Sequence, residues 1–172
     1  RVRELVALVK WSGPVATAFL MGPEADSSGW NAAVTRLVGA GAKEIIAVPL
    51  MVSSHGGHYR QVRFLAGEIR EWPRDLSSHP HASIGLPPVP IRVTAALDGA
   101  PELGEAIRGR WRALDPGDRR RPLLLVAHGP STDEEAGLWI RDLDAAASLI
   151  RLEGKIPVTI GLLRDDAAPP VR

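Results

Sequence analysis

Residues 45–59 read IIAVPLMVSSHGGHY, and this stretch decides the fold. An apolar, β-branched run comes first, a turn with two glycines and two histidines follows, and residues 59–72 then show a helical pattern. A continuous apolar strand that leads directly into a helix is typical of a parallel sheet covered on both faces. Ligands of such sheets bind beyond the carboxyl ends of the strands, where His55 and His58 stand. The stretch therefore predicts an α/β fold with a ligand site at this turn.

The same alternation of strands and helices continues through most of the chain. Apolar residues at helical spacing predict helices through Trp30, Leu103 and Trp139, and a capping box formed by Thr132 and Glu135 predicts the start of the last one. The predicted strands are residues 15–21, 45–51, 91–97, 123–127 and 156–163. We expect the first three to be neighbours in one mainly parallel sheet, joined by right-handed crossovers.

Composition narrows the class of protein. The chain has 172 residues, of which 45% are hydrophobic and 24% charged, and its net charge is +1, as in a globular protein with a core. The opening RVRELVALVK reads as a helix rather than a signal peptide, and no apolar run approaches the roughly 20 residues that span a bilayer. We therefore expect a cytoplasmic protein without a membrane partner. Residues 119–121, the one basic run, lack the aromatic interleaving of a nucleic-acid surface, so no nucleic-acid partner is expected.

A linker divides the chain into two predicted units. Residues 115–122 combine Pro116 and Gly117 with charged residues, and they separate a first unit, residues 1–114, from a second, residues 123–172. Thr159 follows Thr17 by 142 residues, and the same helix, strand and acidic turn recur at this offset. We expect two tandem repeats of one fold. The first strand of repeat one would then lie upstream of residue 1, and repeat two would continue past residue 172.

Histidines are the main candidates for metal chemistry because the chain has no cysteine, which leaves imidazole and carboxylate as ligands. The strand 123–127 runs directly into His128 and a glycine, as the strand 45–51 runs toward His58. For each of these histidines the alternative is a turn or helix-capping role. His79 and His81 flank a proline and read as surface-loop residues.

These elements together resemble the sirohydrochlorin chelatases, also called class II chelatases. In that family one metal-facing histidine follows the first strand of a half-domain, and a second lies in a Gly-x-His or Gly-Gly-His turn. Here LLLVAHG at 123–129 resembles the first element, and VPL at 48–50 with GGH at 56–58 resembles the second. AFL at 18–20 with Glu24 resembles the family's strand and acidic turn. The resemblance covers nearly the whole chain as two incomplete copies, each with one of the two histidines.

The resemblance implies a chelatase-like three-layer α/β fold with a mostly parallel sheet. It also implies a lyase-type chelatase that inserts a divalent ion, cobalt by default and otherwise nickel or iron, into sirohydrochlorin or a related tetrapyrrole for cobalamin or siroheme synthesis. The metal is then a substrate, and no organic cofactor is expected. By their places in the motifs, His58 and His128 are the implied catalytic metal ligands, with His55 as an additional ligand.

Three further residues receive roles from the same resemblance. Metallation releases two pyrrole protons, and Glu24 is an implied acceptor for them. The tetrapyrrole carries several carboxylates, which Arg60 and Arg63 are implied to position.

Two other functions stay open at the level of sequence. The chain could be a non-catalytic chelatase-like protein that binds a metal or tetrapyrrole. It could instead be a phosphate-binding domain that uses Gly56 and Gly57 ahead of a helix, although Walker and Gly-x-Gly-x-x-Gly patterns are absent. The sequence also leaves monomer and homodimer open.

Overall fold

The structure, a computed structural model, describes residues 2–76 and 86–164. The α-helices are α1 (Val2–Ala7), α2 (Glu24–Ser28), α3 (Trp30–Gly39), α4 (Gly57–Leu65), α5 (Pro101–Arg112) and α6 (Asp133–Gly154). The strands are β1 (Ile45–Ala47), β2 (Ile91–Val93), β3 (Leu123–Ala127) and β4 (Val158–Leu162). Two short 3₁₀ helices, Arg74–Leu76 and Asp118–Arg120, complete the regular structure of the described residues. His79 and His81 lie outside them.

The strands form two parallel pairs. β1 lies beside β2 with Ile45 opposite Ile91, and β3 lies beside β4 with Leu123 opposite Val158. Within the described ranges no strand joins the two pairs. Parallel strands connected through helices confirm the predicted α/β class, and the division into two tandem repeats stays a prediction.

The prediction of a strand at residues 15–21 is wrong. The backbone there makes a single parallel bridge, between Phe19 and Gly29, and no named strand. The Phe19 N–H donates to the Ser28 carbonyl at 2.9 Å, so this segment pairs with the end of its own downstream helix. Val15 and Met21 remain about half exposed. The expected parallel neighbours are therefore only the segments that contain β1 and β2.

These two segments stay side by side beyond the formal strands. Leu97 N–H donates to the Met51 carbonyl at 3.1 Å, and Asp98 N–H donates to the Val52 carbonyl at 2.9 Å. The sequence predicts strands over the whole of residues 45–51 and 91–97, whereas in the structure only three residues of each segment form a strand. The looser pairing nevertheless brings the turn after β1 close to Asp98.

The helix expected over residues 59–72 ends earlier, at Leu65. Gly67 has a φ of 79°, and its N–H donates to the Phe64 carbonyl at 2.9 Å. A left-handed glycine after the last turn is a common helix terminator. Trp72 lies beyond the helix and packs edge-on against Phe64, with ring centroids 5.3 Å apart.

The start of α6 confirms the predicted cap at Thr132. The Thr132 hydroxyl oxygen accepts the Glu135 N–H at 3.3 Å, and it donates to the Glu135 carboxylate at 3.1 Å. In a capping box the carboxylate would accept the backbone N–H of the cap residue. Here it accepts the hydroxyl instead.

α6 packs on α5 and on the β3–β4 sheet, and this contact builds much of the core. Ala147 and Ile150 of α6 have no exposed surface and lie with Trp111 of α5. Leu103 packs with Leu143 in an adjacent cluster. Because α5 precedes the predicted linker and α6 follows it, helices from both predicted units share the core. None of the helices in the described ranges has the length and apolar character needed to cross a membrane.

Candidate functional site

A cleft of about 210 Å³ opens at the carboxyl ends of β1 and β3. Its walls come from the loop after β1, the start of α4, the Arg74–Leu76 turn and the loop between β3 and α6. The lining residues are Met51, Val52, Ser53, Gly57, His58, Tyr59, Asp75, Leu76, His128, Gly129, Pro130, Ser131 and Trp139. This is the position at which parallel α/β proteins bind ligands.

His58 is the second residue of α4 and is half-buried in the cleft wall. Its Nδ1 lies 3.2 Å from Oε1 of Gln61, one turn along the same helix. A carbonyl oxygen only accepts, so Nδ1 carries the proton in this contact. In that tautomer Nε2 has the lone pair with which an imidazole binds a metal.

His128 follows the last residue of β3 and is exposed. Its Nδ1 lies 2.9 Å from the Gly129 carbonyl oxygen, which again assigns the proton to Nδ1 and the lone pair to Nε2. Gly129 has a φ of 79°, and a Cβ there would come within 3.0 Å of the Leu162 Cβ. The glycine is therefore required for the turn that carries His128.

The two histidines that the sequence singled out thus line one cleft, although they are 70 residues apart in the chain. His58 comes after β1 of one parallel pair and His128 after β3 of the other, and each has Nδ1 against a carbonyl oxygen. The arrangement suits a divalent ion that is held by imidazole and keeps open coordination positions.

Asp75, which lines the cleft, belongs to an ion-pair cluster whose other members, Arg60 and Glu135, are not among the lining residues. Arg60 donates to Asp75 Oδ2 at 3.0 Å and also to the Glu135 carboxylate of α6. Burial lowers the pKa of Arg60, but the hydrogen bonds to Glu135 and Asp75 outweigh it and raise that pKa above its usual value. Asp75 in turn lies tightly against Gly57, where a Cβ would come within 2.3 Å of its Oδ2. Arg60 therefore joins α4 to α6, and its predicted contact with substrate carboxylates stays a prediction.

Arg63 and Glu24 do not line the cleft as the described residues form it. Arg63 donates to Glu68 at 2.9 Å, and the other oxygen of Glu68 accepts the Val93 N–H at 2.8 Å, at the end of β2. Glu24 is the exposed first residue of α2. Their predicted roles in substrate binding and proton transfer stay predictions.

His55 faces another group of residues. Its carbonyl oxygen accepts the Trp139 indole N–H, while its Nε2 lies 4.0 Å from the Asp142 carboxylate. His55, Asp98 and Asp142 place one potential ligand atom each within 4.8 Å of one another. Sequence reasoning missed both aspartates. The signal for Asp142 was present, because it stands on the apolar face of α6, three residues after Trp139 and four before Ala146.

The α/β framework and the cleft lined by His58 and His128 can be compared with known protein families. The family model described as CbiX matches residues 1–114, well over half of the chain. The chain belongs to this family, the sirohydrochlorin chelatases, which confirms the resemblance seen in the sequence. The family acts on sirohydrochlorin-like tetrapyrroles with a divalent metal as a substrate. Comparisons with curated proteins and with solved structures gave no match.

Proposed function

We propose that this protein inserts a divalent ion, cobalt by default, into sirohydrochlorin or a related tetrapyrrole for the synthesis of cobalamin, or of siroheme when the ion is iron, and that His58 and His128 hold the incoming ion. The observation that carries the proposal is that both histidines line one cleft. The family match at residues 1–114 contains His58, whereas His128 lies outside the matched residues.

Two neutral imidazoles fit the task of delivering an ion. They bind divalent cobalt, nickel, iron or zinc without filling the coordination sphere. Open positions let the pyrrole nitrogens attach before the imidazoles detach. A complete cage of protein ligands would oppose this transfer.

Protons must leave as the metal enters. Two N–H bonds of the tetrapyrrole and the bonds from the ion to the imidazoles break, four bonds form between the ion and the tetrapyrrole nitrogens, and two protons are released. When the ion leaves His58 and His128, each Nε2 regains its lone pair and can accept a proton. The same two side chains can therefore present the metal and accept the protons, with Glu24 as a second acceptor.

The cleft is too small to enclose the substrate. It measures about 210 Å³, whereas sites that enclose a whole small ligand usually measure roughly 300–1,000 Å³. Most of the tetrapyrrole, with its carboxylates, would therefore lie outside the cleft.

The test follows the absorbance of sirohydrochlorin during insertion of Co²⁺, with Ni²⁺ and Fe²⁺ in parallel. His58→Ala and His128→Ala should each slow insertion by more than about 100-fold, because losing a ligand costs more than losing its supporting hydrogen bond. His79→Ala, at a predicted surface-loop histidine, is the matched control and should insert at the wild-type rate. Wild-type rates in a folded His58→Ala protein would refute the proposal. Wild-type protein that binds Co²⁺ through His58 but inserts none would indicate the binding function instead.

A further inference from the structure

A second group of potential metal ligands lies outside the residues that line the cleft. We propose that His55, Asp98 and Asp142 bind a divalent transition-metal ion at a site separate from the His58 and His128 pair. The proposal rests on the geometry of these three side chains and not on the chelatase function.

The three ligands come from three different parts of the fold. His55 lies in the loop after β1, Asp98 in the turn after β2, and Asp142 near the middle of α6. One ligand atom from each lies within 4.8 Å of the other two. Ligand atoms around an ion at about 2.0–2.2 Å lie roughly 3–3.5 Å apart, so small side-chain rotations suffice to close the set.

Hydrogen bonds to two serines orient the carboxylates. Ser53 Oγ donates to Asp142 Oδ2 at 3.3 Å. Ser54 donates twice to Asp98, from its N–H at 2.5 Å and from its hydroxyl at 2.8 Å. Metal-binding carboxylates are usually held in place by such outer hydrogen bonds. Asp98 also has a φ of 43°, a region that few non-glycine residues occupy.

The charge of the cluster favours a cation. Asp142 is only 9% exposed, and its one ion-pair partner among the described residues is His55, at 4.0 Å. In the same part of the chain no Lys or Arg side chain pairs with Asp98. A buried carboxylate is costly unless a cation or hydrogen bonds compensate it. One imidazole with two carboxylates suits Zn²⁺, Co²⁺, Fe²⁺ or Mn²⁺.

Binding at this site would link parts of the chain that lie on both sides of the predicted linker. Asp142 belongs to α6, whereas His55 and Asp98 precede the linker. His55 is also three residues before His58, so an ion would fix the turn that leads into the cleft. We therefore expect the ion to raise stability as well as to bind.

The test measures Zn²⁺ binding by calorimetry to the full chain carrying His58→Ala and His128→Ala, which removes the cleft ligands. His79→Ala and His81→Ala are added to eliminate the other two histidines. This background should still bind one equivalent of Zn²⁺ and unfold at a higher temperature in its presence. Adding Asp142→Asn, which keeps the shape and the serine contact, should weaken binding by at least about 100-fold and abolish the thermal shift. Asp144→Asn, at an exposed position of α6, is the matched control and should bind like the background.

Two results would overturn the site: no Zn²⁺ binding in the background protein, or unchanged binding after Asp142→Asn. If circular dichroism shows that Asp142→Asn fails to fold, His55→Gln at the half-exposed ligand decides by the same measurement. The chelatase proposal survives either failure, because it rests on insertion rates with His58 and His128 variants.

Discussion

Replacing Gly57 with alanine tests how tightly the cleft wall is built around the Gly-Gly-His turn. The added Cβ would lie 2.3 Å from Asp75 Oδ2 and 2.8 Å from its Cγ, whereas ordinary contacts begin at 3.4 Å. The carboxylate must therefore retreat by about 1 Å, because overpacked groups relieve such clashes by moving. That movement disrupts the 3.0 Å hydrogen bond from Arg60.

Three effects, two unfavourable and one favourable, set the change in the free energy of unfolding. Overpacking costs about 1–3 kcal/mol. The lost charge-assisted hydrogen bond adds about 1 kcal/mol, reduced from its buried value because the Arg60 side chain is 36% exposed. Alanine regains about 0.5–1 kcal/mol over glycine at a helical position. We expect Gly57→Ala to lower the free energy of unfolding by about 1–3 kcal/mol, and to slow cobalt insertion because His58 is the next residue.

Gly56→Ala is the matched control. Its Cβ would meet nothing closer than the Trp139 indole nitrogen at 4.0 Å, and its backbone is extended, with a φ of 163°. We expect a change within about 0.5 kcal/mol. The free energies of unfolding of both variants are measured by urea unfolding followed by circular dichroism. The effect of Gly57→Ala is then measured again in an Asp75→Ala background, which lacks the obstructing carboxylate. Equal stability of the two glycine variants, or an undiminished cost of Gly57→Ala without Asp75, would refute the reasoning.

Three other substitutions test the ion pairs. Arg60→Met should lower the free energy of unfolding by about 1–3 kcal/mol, because it leaves two largely buried carboxylates unpaired. Arg63→Met, the control, loses an exposed ion pair and should lower the free energy of unfolding by less than about 1 kcal/mol. A raised KM for sirohydrochlorin in Arg60→Met at unchanged stability would indicate substrate contact instead. The hydrogen bond from Arg112 lowers the pKa of Glu153, so this pair contributes stability above the ordinary carboxyl pKa and loses it as pH falls through the lowered value. Glu153→Gln should therefore be less stable than wild type at pH 7, and urea midpoints of the two proteins should converge in acid; a gap that persists there would contradict the assignment.

Local patterns in the sequence were sufficient for several features of the fold. Apolar runs and helical spacing predicted β3, α3 and the Thr132 cap, because each depends on residues within one or two turns of one another. The same reasoning failed at residues 15–21. An apolar run shows that a segment avoids water, but it does not show whether a neighbouring strand is available to pair with it.

The sequence by itself determined the family and the α/β class, and it singled out His58 and His128 as candidates, since motifs and the order of strands and helices can be recognised from neighbouring residues. Only the tertiary structure decided that His58 and His128 share one cleft, and that Arg60 pairs with Asp75 and Glu135. It alone brought Asp98 and Asp142 to His55. The physical reason is that periodicity records how each segment is buried, whereas contacts between distant residues depend on how α6 packs against α5 and the loops.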